Sequence, residues 1–559
     1  MKEKELIIKA LKKVFAKNKI NLKDEEIESL IETPPSQEMG DFAFPCFVLA
    51  KSLKKNPKDI AIKIREDIDE TGFEDVQTSG AYLNFFVNRK KFSWQLIKQI
   101  LEEKENFGSS DIGKGKKALI EHTSINPNAS PHVGRARNAI IGDSIVKILN
   151  FLNYKTEVHY YVNNVSKQIA MLVLGKADKL KFEAMLKKYM DISKKVEKSE
   201  ELEKKVFDLL YQFEKGEKSV VKSFNKITQI CVNGQEKILS DLGIHYDYFD
   251  YESSYLEKTK DILSMLEKTK KLFKDEAGRL VLNQKGTSVE NKMKTPFLVL
   301  TRNDGTGLYP LRDIAYTVDK MQIAPEKNIV VLGEDQKLYF QQISEALKLL
   351  GFSSPEVVHY SFILLREKAK AKKMSTRKGD VVLLEDFIGE AISKAKKEIA
   401  KRKTKGDAKK IGVSAVKYAI LKNSANKSIL FNLADALNFE GDTGPYILYT
   451  YARASSILKK AKKKLSENLE INKIEDKEIE LVKKLSQFPE VVLDAYNNYN
   501  PSMIANYSYQ LAQIFNEFYH SCPVINSNNE SFRLSLVEAF RYVLKNSLNL
   551  LGIETIEKM

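Results

Sequence analysis

The chain of 559 residues is long enough for several domains with large apolar cores, and its 43% hydrophobic residues exclude an intrinsically disordered protein. Lys and Arg (91) outnumber Asp and Glu (75), so the net charge of +16 favours a polyanionic partner. Three widely spaced cysteines exclude a disulfide scaffold and a zinc ribbon, and no apolar run approaches the roughly 20 residues of a membrane span, so we expect a cytoplasmic protein without zinc.

A small α+β module and a linker are predicted over residues 1–110. The segment ELIIKALKKVF has helical periodicity, whereas DFAFPCFVLA and GAYLNFFVN contain the aromatic and branched residues typical of strands. The Gly- and Lys-rich stretch SSDIGKGKK that follows is typical of a linker. The module is therefore expected to precede a separate, larger domain.

That larger domain is predicted over residues 111–385 and has the pattern of a Rossmann-type parallel sheet. The apolar strand KALIEHT is followed by a loop, a helix from Gly134 to about Tyr154 and the strand TEVHYYV. Residues from about 176 to 295 are rich in Lys and Glu and give no comparable strand signal, so we expect a mostly helical insertion that splits the sheet, or alternatively a separate helical domain. The segments FLVL, NIVVLG and VVHYSFILL would then complete the sheet.

From residue 386 to the end, the pattern is helical. We divide this part into a connector, 386–440, and an all-α bundle, 441–559. Its charge runs, KRKTKGDAKK and KKAKKK, are typical of solvated helix faces. The predicted fold class is thus multidomain α/β, with an α+β module before the parallel sheet and a helical bundle after it.

Two loops of this sequence have the residues to bind phosphate. The first, 124–138, joins a predicted strand to a helix, and it places His132, Gly134 and Arg135 at the helix N-terminus, where N–H groups favour anions. Taken alone, His132 is better explained as a hydrogen-bonded structural histidine. The second loop is basic and could neutralise a polyphosphate, although such a loop is usually only solvated surface. Its residues include Lys373, Met374, Ser375, Thr376, Arg377 and Lys378.

Together the two loops resemble the signatures of class I aminoacyl-tRNA synthetases, with PHVGR at the HIGH position and KMSTR at the KMSKS position. The ordered blocks EHTSINPNASPHVGRARNAIIGD, LYPLRDIAY, KMSTRKGD, FEGDTGPYILYTYARASSIL and FYHSCPV narrow the resemblance to arginyl-tRNA synthetases. Arg135 replaces the second His of HIGH, a variant associated with the archaeal-type branch, and Arg377 replaces the second Lys of KMSKS. Since arginine does not titrate near neutral pH, we expect Arg135 to act through its charge and not as a general acid.

The resemblance implies an enzyme that activates L-arginine with ATP and Mg²⁺ to arginyl-adenylate and pyrophosphate, then transfers the arginyl group to the 3′-terminal ribose of tRNA(Arg). It also implies a monomer that needs bound tRNA for activation. The residues of the two loops named above would hold ATP. Two alternatives stay open: a class I synthetase for another amino acid, and a catalytically inactive paralogue that only binds tRNA.

Arginine carries a planar, permanently charged guanidinium, so its pocket needs a carboxylate and neighbouring acceptors. Tyr309 and Asp313 match the family's guanidinium-recognising pair and would share one helix face. Without the resemblance, a salt-bridged Asp and a Tyr at the surface explain them equally well. Further positions that match the family's arginine pocket are Glu121, Asn126 and Gln336, the last with an alignment that could slip to Asp335.

The basic charge is explained by tRNA binding, since neutralising phosphates releases counterions, whereas specificity comes from unpaired bases that stack on aromatic rings. The resemblance makes 441–559 an anticodon-binding bundle, with candidate contacts at Tyr446, Arg453, Tyr519 and Met559. As an alternative, Tyr446 packs between helices. The N-terminal module resembles the domain that meets the tRNA elbow, with candidates Asn84, Phe86 and Asn88.

Overall fold

The computed structural model describes residues 2–32, 34–123, 125–367, 370–373, 382–403, 405–461, 471 and 473–559. The chain divides into two compact units according to its contacts. The first unit comprises Met1–Lys104, Ile457–Gln487 and Ile514–Tyr542, and the second comprises Glu105–Ser456, Phe488–Gln513 and Val543–Met559. The bounds of the four domains expected from the sequence remain predictions.

The N-terminal part of the first unit is the expected α+β module. Its antiparallel sheet has the order β1-β3-β2, with β1 Phe42–Pro45, β2 Phe73–Ser79 and β3 Tyr82–Val87. The helices are α1 Lys2–Lys17, α2 Asp24–Leu30, α3 Ala50–Leu53, α4 Pro57–Asp67 and α5 Arg89–Glu103. The strand predicted over DFAFPCFVLA is only half realised: β1 ends at Pro45, which has no N–H for the ladder, and a 3-10 helix follows.

Parallel and antiparallel strands follow in the second unit. In chain order they are β4 Lys117–Glu121, β5 Lys155–Val162, β6 Tyr248–Tyr251, β7 Leu272–Lys274, β8 Leu280–Asn283, β9 Phe297–Val299, β10 Asn328–Gly333, β11 Glu356–Tyr360, β12 Ile363–Glu367, β13 Lys370–Lys373 and β14 Ile429–Phe431. The helices between residues 133 and 460 are α6 Val133–Phe151, α7 Lys167–Leu174, α8 Met185–Val196, α9 Glu200–Glu214, α10 Lys218–Ser240, α11 Lys258–Lys268, α12 Tyr309–Ile323, α13 Lys337–Leu349, α14 Leu384–Lys401, α15 Ala408–Leu421, α16 Leu433–Ala436 and α17 Gly444–Lys460.

A five-stranded parallel sheet lies at the centre of this unit, with the order β11-β10-β4-β5-β6. Counted along the chain and read from the other edge, this is the Rossmann order 3-2-1-4-5, as expected. The order reverses between β4 and β10, which pair in parallel. In such sheets, ligands bind beyond the carboxyl ends of the strands at this switch point.

Three expectations for strands are wrong. The stretch 176–295 is not strand-free, because β6 joins the parallel sheet beside β5, and β7 and β8 lie in the same stretch. The segment FLVL forms β9 in a separate antiparallel sheet, β7-β8-β9, and the ILL end of VVHYSFILL belongs to β12 in the sheet β13-β12-β14, so neither completes the parallel sheet. Beyond residue 386 the chain is not all helical, since β14 pairs with β12. The sequence of β6, YFDY, lacks the apolar run of a central strand because β6 is an edge strand with Tyr248 exposed.

Helices α7 to α10 form a hydrophobic core of their own within the second unit. It is built around fully buried side chains such as Phe224 and Cys231. A second cluster joins α11, α12 and α13 to β8 and β9. The predicted insertion therefore contains a helical core, but it also supplies part of the sheet.

The last helices are α18 Asp476–Ser486, α19 Phe488–Asn497, α20 Ser502–Ser521 and α21 Glu530–Leu550, which confirms the helical C-terminal part. In the first unit, Arg533 donates from Nε to Glu478 at 2.5 Å, and the rings of Phe515 and Phe540 stack 3.8 Å apart. None of the helices that the structure describes combines the length and apolarity needed to cross a bilayer.

Candidate active site

A cavity of about 260 Å³ opens beyond the carboxyl ends of β4 and β10. Glu121 ends β4 and Gly333 ends β10, and both line it. The cavity therefore occupies the switch point of the Rossmann sheet. All five residues predicted to hold arginine line it: Glu121, Asn126, Tyr309, Asp313 and Gln336. Asp335 lines it too, so the choice between Asp335 and Gln336 stays open.

Tyr309 and Asp313 stand one turn apart at the start of α12, on the side that faces the cavity. The Tyr339 hydroxyl donates to Oδ2 of Asp313 at 2.5 Å, and the rings of Tyr309 and Tyr339 lie 4.7 Å apart. Burial raises the pKa of Asp313 to about 6 and that of Tyr309 to about 12. The carboxylate is thus poorly hydrated, and it becomes more stable when a cation approaches.

Glu252 is a further carboxylate of the cavity and was not predicted from the sequence. Its side chain is 1% exposed, and Oε1 accepts from Arg312 Nε at 2.6 Å. The other oxygen, Oε2, is buried and has no hydrogen-bond partner among the described residues. Burial raises the pKa of Glu252 to about 7. An unsatisfied buried carboxylate oxygen is costly, and the donor of a ligand would satisfy it.

A sequence signal for Glu252 existed, but it depended on recognising β6. Glu252 directly follows β6, and acidic residues at the carboxyl end of a parallel strand are candidates for a ligand site. The polar sequence of β6, YFDY, does not predict a strand, so the end of this strand could not be located from the sequence.

Glu121, in contrast, is already neutralised inside the protein. Lys320 donates from Nζ to Oε2 of Glu121, and this ammonium lies 4.3 Å from the centroid of the Tyr316 ring. Asp313 has a tyrosine hydroxyl as its hydrogen-bond partner, whereas Glu121 and Glu252 each have a cation. Of these three buried carboxylates, Asp313 is therefore the one that no cation already pairs.

The backbone after β4 is strained and is held by hydrogen bonds on both sides. Thr123, a β-branched residue, has a φ of +70°. Its N–H donates to Oδ1 of Asn138 on α6 at 2.8 Å, and Asn138 donates to the Val331 carbonyl of β10 at 2.9 Å. Asn138 thus fixes the strand-to-helix turn against the neighbouring strand, close to the cavity.

His132, Gly134 and Arg135 lie at the N-terminus of α6, as predicted. His132 is the N-cap with extended backbone, and Gly134 and Arg135 belong to the first turn. Arg135 also lines the cavity. The positive end of the helix dipole favours phosphate here. The whole of the predicted loop except Ser124 is described.

The basic loop is only partly described. Lys373 ends β13, whereas Met374, Ser375, Thr376, Arg377 and Lys378 lie outside the described residues. The chain returns at Val382, whose carbonyl accepts from the Val133 N–H at 3.0 Å. Leu383 forms a bridge with His132. The residues that follow the basic loop, Val382 and Leu383, are therefore adjacent to the N-terminus of α6.

The candidate RNA contacts occur in both units. In the second unit, Tyr446 and Arg453 lie on α17, where the Tyr446 ring is 5.7 Å from that of Tyr509 and the Arg453 guanidinium is 5.0 Å from the Tyr449 ring centroid. Met559 ends the same unit, and Tyr519, 39% exposed on α20, belongs to the first unit.

The three candidates of the N-terminal module differ in accessibility. Asn84 is 5% exposed within β3, and Phe86 is half-buried. Asn88 is exposed, and its Oδ1 accepts from the Lys91 N–H at 3.0 Å as the N-cap of α5. Asn84 is thus the least accessible of the three to RNA.

Three family models match successive parts of the chain. They are described as Arginyl tRNA synthetase N terminal domain (residues 2–87), tRNA synthetases class I (R), catalytic domain (residues 96–433), and DALR anticodon binding domain (residues 447–559). The catalytic model alone covers more than half of the chain. Their order is that of the predicted module, sheet domain and helical bundle.

Similar proteins match over nearly the full length. The arginine–tRNA ligase of Clostridium perfringens is 35% identical, covering 97% of this chain and 98% of that protein. That of Methanocaldococcus jannaschii is 36% identical, with 99% of both covered. The solved structure of Thermus thermophilus arginyl-tRNA synthetase gives a TM-score of 0.80 at 25% identity, with 100% of both chains covered.

Proposed function

Because this chain belongs to the arginyl-tRNA synthetase family and is a class I arginine–tRNA ligase that uses ATP, we propose that the cavity at the switch point holds the arginine substrate. Neither the alternative of another amino acid nor that of an inactive paralogue is supported by the relatives. The observation that carries the proposal is that all five residues expected from the resemblance line one cavity, although they are far apart in sequence. Those residues come from β4, the loop after it, α12 and the turn after β10.

The guanidinium of arginine is placed at Asp313, Tyr309 and Glu252. Asp313 supplies a carboxylate, and burial raises its pKa to about 6. Glu252 supplies Oε2, which has no hydrogen-bond partner among the described residues. A fork of N–H donors can satisfy both carboxylates together, which a single ammonium does less well. This arrangement selects arginine over lysine by geometry, since both side chains carry one positive charge.

ATP is placed at the N-terminus of α6, with His132, Gly134 and Arg135 around it and with the basic loop, Lys373 to Lys378, over the phosphates. In-line attack of the arginine carboxylate on the α-phosphate then needs positioning and charge stabilisation, without a protein nucleophile. Arg135 contributes a fixed positive charge. Bound Mg²⁺ would offset the remaining phosphate charge, and it would arrive with ATP, since no cluster of three metal-ligating side chains occurs among the described residues.

The second step is attack of the terminal tRNA ribose on the adenylate carbonyl. We assign anticodon contacts to Tyr446, Arg453, Tyr519 and Met559, and elbow contacts to the N-terminal module. We further propose a cytoplasmic monomer, without zinc, that activates arginine only when tRNA is bound.

ATP–pyrophosphate exchange with each of the twenty amino acids, with and without tRNA, tests this proposal. Exchange with arginine alone, and only with tRNA, is expected. Exchange with a different amino acid would reject the assignment of the cavity, and exchange with arginine in the absence of tRNA would reject only the tRNA dependence. Sedimentation of the same preparation tests the oligomeric state, and the mass of a single chain is expected.

A further inference from the structure

Helix α9 presents two exposed aromatic rings to solvent. Phe207 is 49% exposed and Tyr211 is 48% exposed, and at a spacing of four residues they share one helix face. A neighbouring face already anchors the helix, because Val206, Leu210 and Phe213 are buried in the core of α7 to α10. The two rings are therefore not required to hold α9 in place.

A lysine lies over each of these rings. Lys167 Nζ is 5.1 Å from the centroid of the Phe207 ring, and Lys215 Nζ is 5.4 Å from that of the Tyr211 ring. Lys167 also pairs with Glu203 of α9 at 2.5 Å, which holds it beside the helix. Lys167, Phe207, Tyr211 and Lys215 are called the α9 surface below. Their alternation of rings and cations offers stacking partners for bases and charges for phosphates.

Both ends of the α9 surface are linked to residues of the cavity. Lys167 begins α7 only four residues after Asn163, which lines the cavity beyond the end of β5. At the other end, Glu214, which precedes Lys215, closes α9 and accepts from Arg302 at 3.1 Å. The charge of Glu214 also acts on the buried pair of Glu252 and Arg312, and Glu252 lines the cavity. An RNA strand that leads to the cavity therefore has the α9 surface within its reach.

We propose that the α9 surface stacks the unpaired nucleotides at the 3′ end of tRNA as that end approaches the cavity. The inference rests on the ligase function, which requires the terminal ribose to reach the adenylate. Unpaired bases expose both ring faces, whereas bases inside the acceptor stem do not, so exposed aromatic rings fit the single strand and not the duplex. The two lysines complement the phosphates between those bases.

The decisive measurement compares two RNAs: intact tRNA(Arg), and the same tRNA without its unpaired 3′ nucleotides. Wild-type enzyme should bind the intact tRNA more tightly. In the double variant Phe207→Ala/Tyr211→Ala, this preference should fall by about tenfold or more, since alanine removes the stacking partner of each base. Binding of the shortened tRNA should not change, because that RNA lacks the nucleotides that would stack on the two rings.

Matched variants separate stacking from folding. Phe207→Tyr/Tyr211→Phe keeps both rings and should retain the preference for intact tRNA. Phe273→Ala removes a similarly exposed ring, 38% exposed, from β7 and should leave both affinities unchanged. In Lys215→Ala, the salt dependence of binding should become weaker by about one phosphate contact for intact tRNA only.

Two results would overturn the proposal. If the alanine double variant weakens binding of both RNAs equally, the α9 surface contacts the body of the tRNA. If it weakens neither, the surface has no part in RNA binding. A failure of the ligase function itself is distinguishable, because wild-type enzyme would then not charge tRNA with arginine in the first place.

Discussion

At the scale of single residues, burial sets the properties of the cavity. The pKa of Asp313 is raised to about 6 and that of Glu252 to about 7, in both cases chiefly because the ionised carboxylate loses its water. Arginine brings a permanent positive charge that favours the ionised forms. Binding of arginine should therefore lower both pKa values, and arginine should bind best when both groups are already ionised.

The raised pKa values of Asp313 and Glu252 predict that kcat/KM for arginine depends on pH. A carboxyl group with a raised pKa is protonated below that value, so kcat/KM for arginine should fall as pH decreases through about 7 and then about 6. The profile is measured by arginine-dependent exchange at saturating ATP and tRNA. Glu252→Gln should remove the upper inflection and keep the lower one. A flat profile between about pH 5.5 and about pH 8 would show that neither carboxylate contacts the substrate.

The charge of Asp313 can be tested separately from its shape. Asp313→Asn keeps an acceptor for the Tyr339 hydroxyl but leaves a bound guanidinium without its charged partner, so KM for arginine should rise about 100-fold, corresponding to about 3 kcal/mol. The KM for ATP should be little changed. Asp319→Asn, on the same helix and paired with Lys258, is the control and should behave as wild type. Equal effects of the two variants would argue for a general destabilisation of α12.

At the scale of secondary-structure elements, α6 and β4 are packed without spare room. A Cβ built on Gly142 of α6 would lie 2.4 Å from Cγ of His122, directly after β4. His122 is 1% exposed, and burial lowers its pKa to about 4, which keeps it neutral. The absence of a side chain at residue 142 therefore allows the helix to approach the strand that ends in the cavity.

Gly142→Ala should accordingly destabilise the protein, by about 1–3 kcal/mol, despite the higher helix propensity of alanine. Gly389→Ala in α14 is a matched control, since no heavy atom lies within 4 Å of its added Cβ. That variant should be stabilised by about 0.5–1 kcal/mol. Thermal unfolding of both variants gives the comparison. A neutral Gly142→Ala would mean that α6 and His122 can move apart easily.

The elements also show what could be predicted from the sequence. Strands β4 and β10 are buried on both faces, so their continuous apolar runs, ALI and IVV, identify them. The pair Tyr309 and Asp313 follows from helical spacing combined with the resemblance. Strand β6 could not be predicted, since an edge strand needs few apolar residues, and Glu252 was missed with it. The sheet that β9 joins could not be predicted either, because strand pairing depends on contacts between residues that are distant in sequence.

At the scale of the whole molecule, residues far apart in sequence are joined through buried charges in the second unit. Lys417 of α15 is 0% exposed, and it donates to Oδ2 of Asp143 on α6 at 3.0 Å and to the Leu242 carbonyl at 2.9 Å. The Ser144 hydroxyl donates to the Leu550 carbonyl at 2.7 Å. Helix α6, which begins at the predicted ATP site, is thus held by α15, which follows the basic loop, and by the C-terminal segment. Through Lys417 it is also joined to Leu242, which precedes that loop.

Burial opposes ionisation of Asp143, but Lys417 and Lys147 outweigh it and hold its pKa below the usual value. A lowered pKa stabilises the folded state above the unfolded pKa, and this contribution is lost as pH falls through the folded value. The ion pair of Asp143 and Lys417 should therefore stabilise the fold fully at neutral pH, and this stabilisation should be lost in acid. Conditions near neutral pH are the appropriate ones for testing it.

Lys417→Met should cost about 3–5 kcal/mol in urea unfolding at neutral pH, because Asp143 would keep its charge in a buried place with one partner removed. Lys147→Met removes the other partner, but Lys147 is 32% exposed and water can replace it, so a smaller loss is expected. Adding Asp143→Leu to Lys417→Met should recover part of the loss, since no buried charge then remains. If the double variant were less stable than Lys417→Met alone, the aspartate would be stabilising the fold through contacts other than its charge, and the account of α6 as held by this ion pair would be wrong.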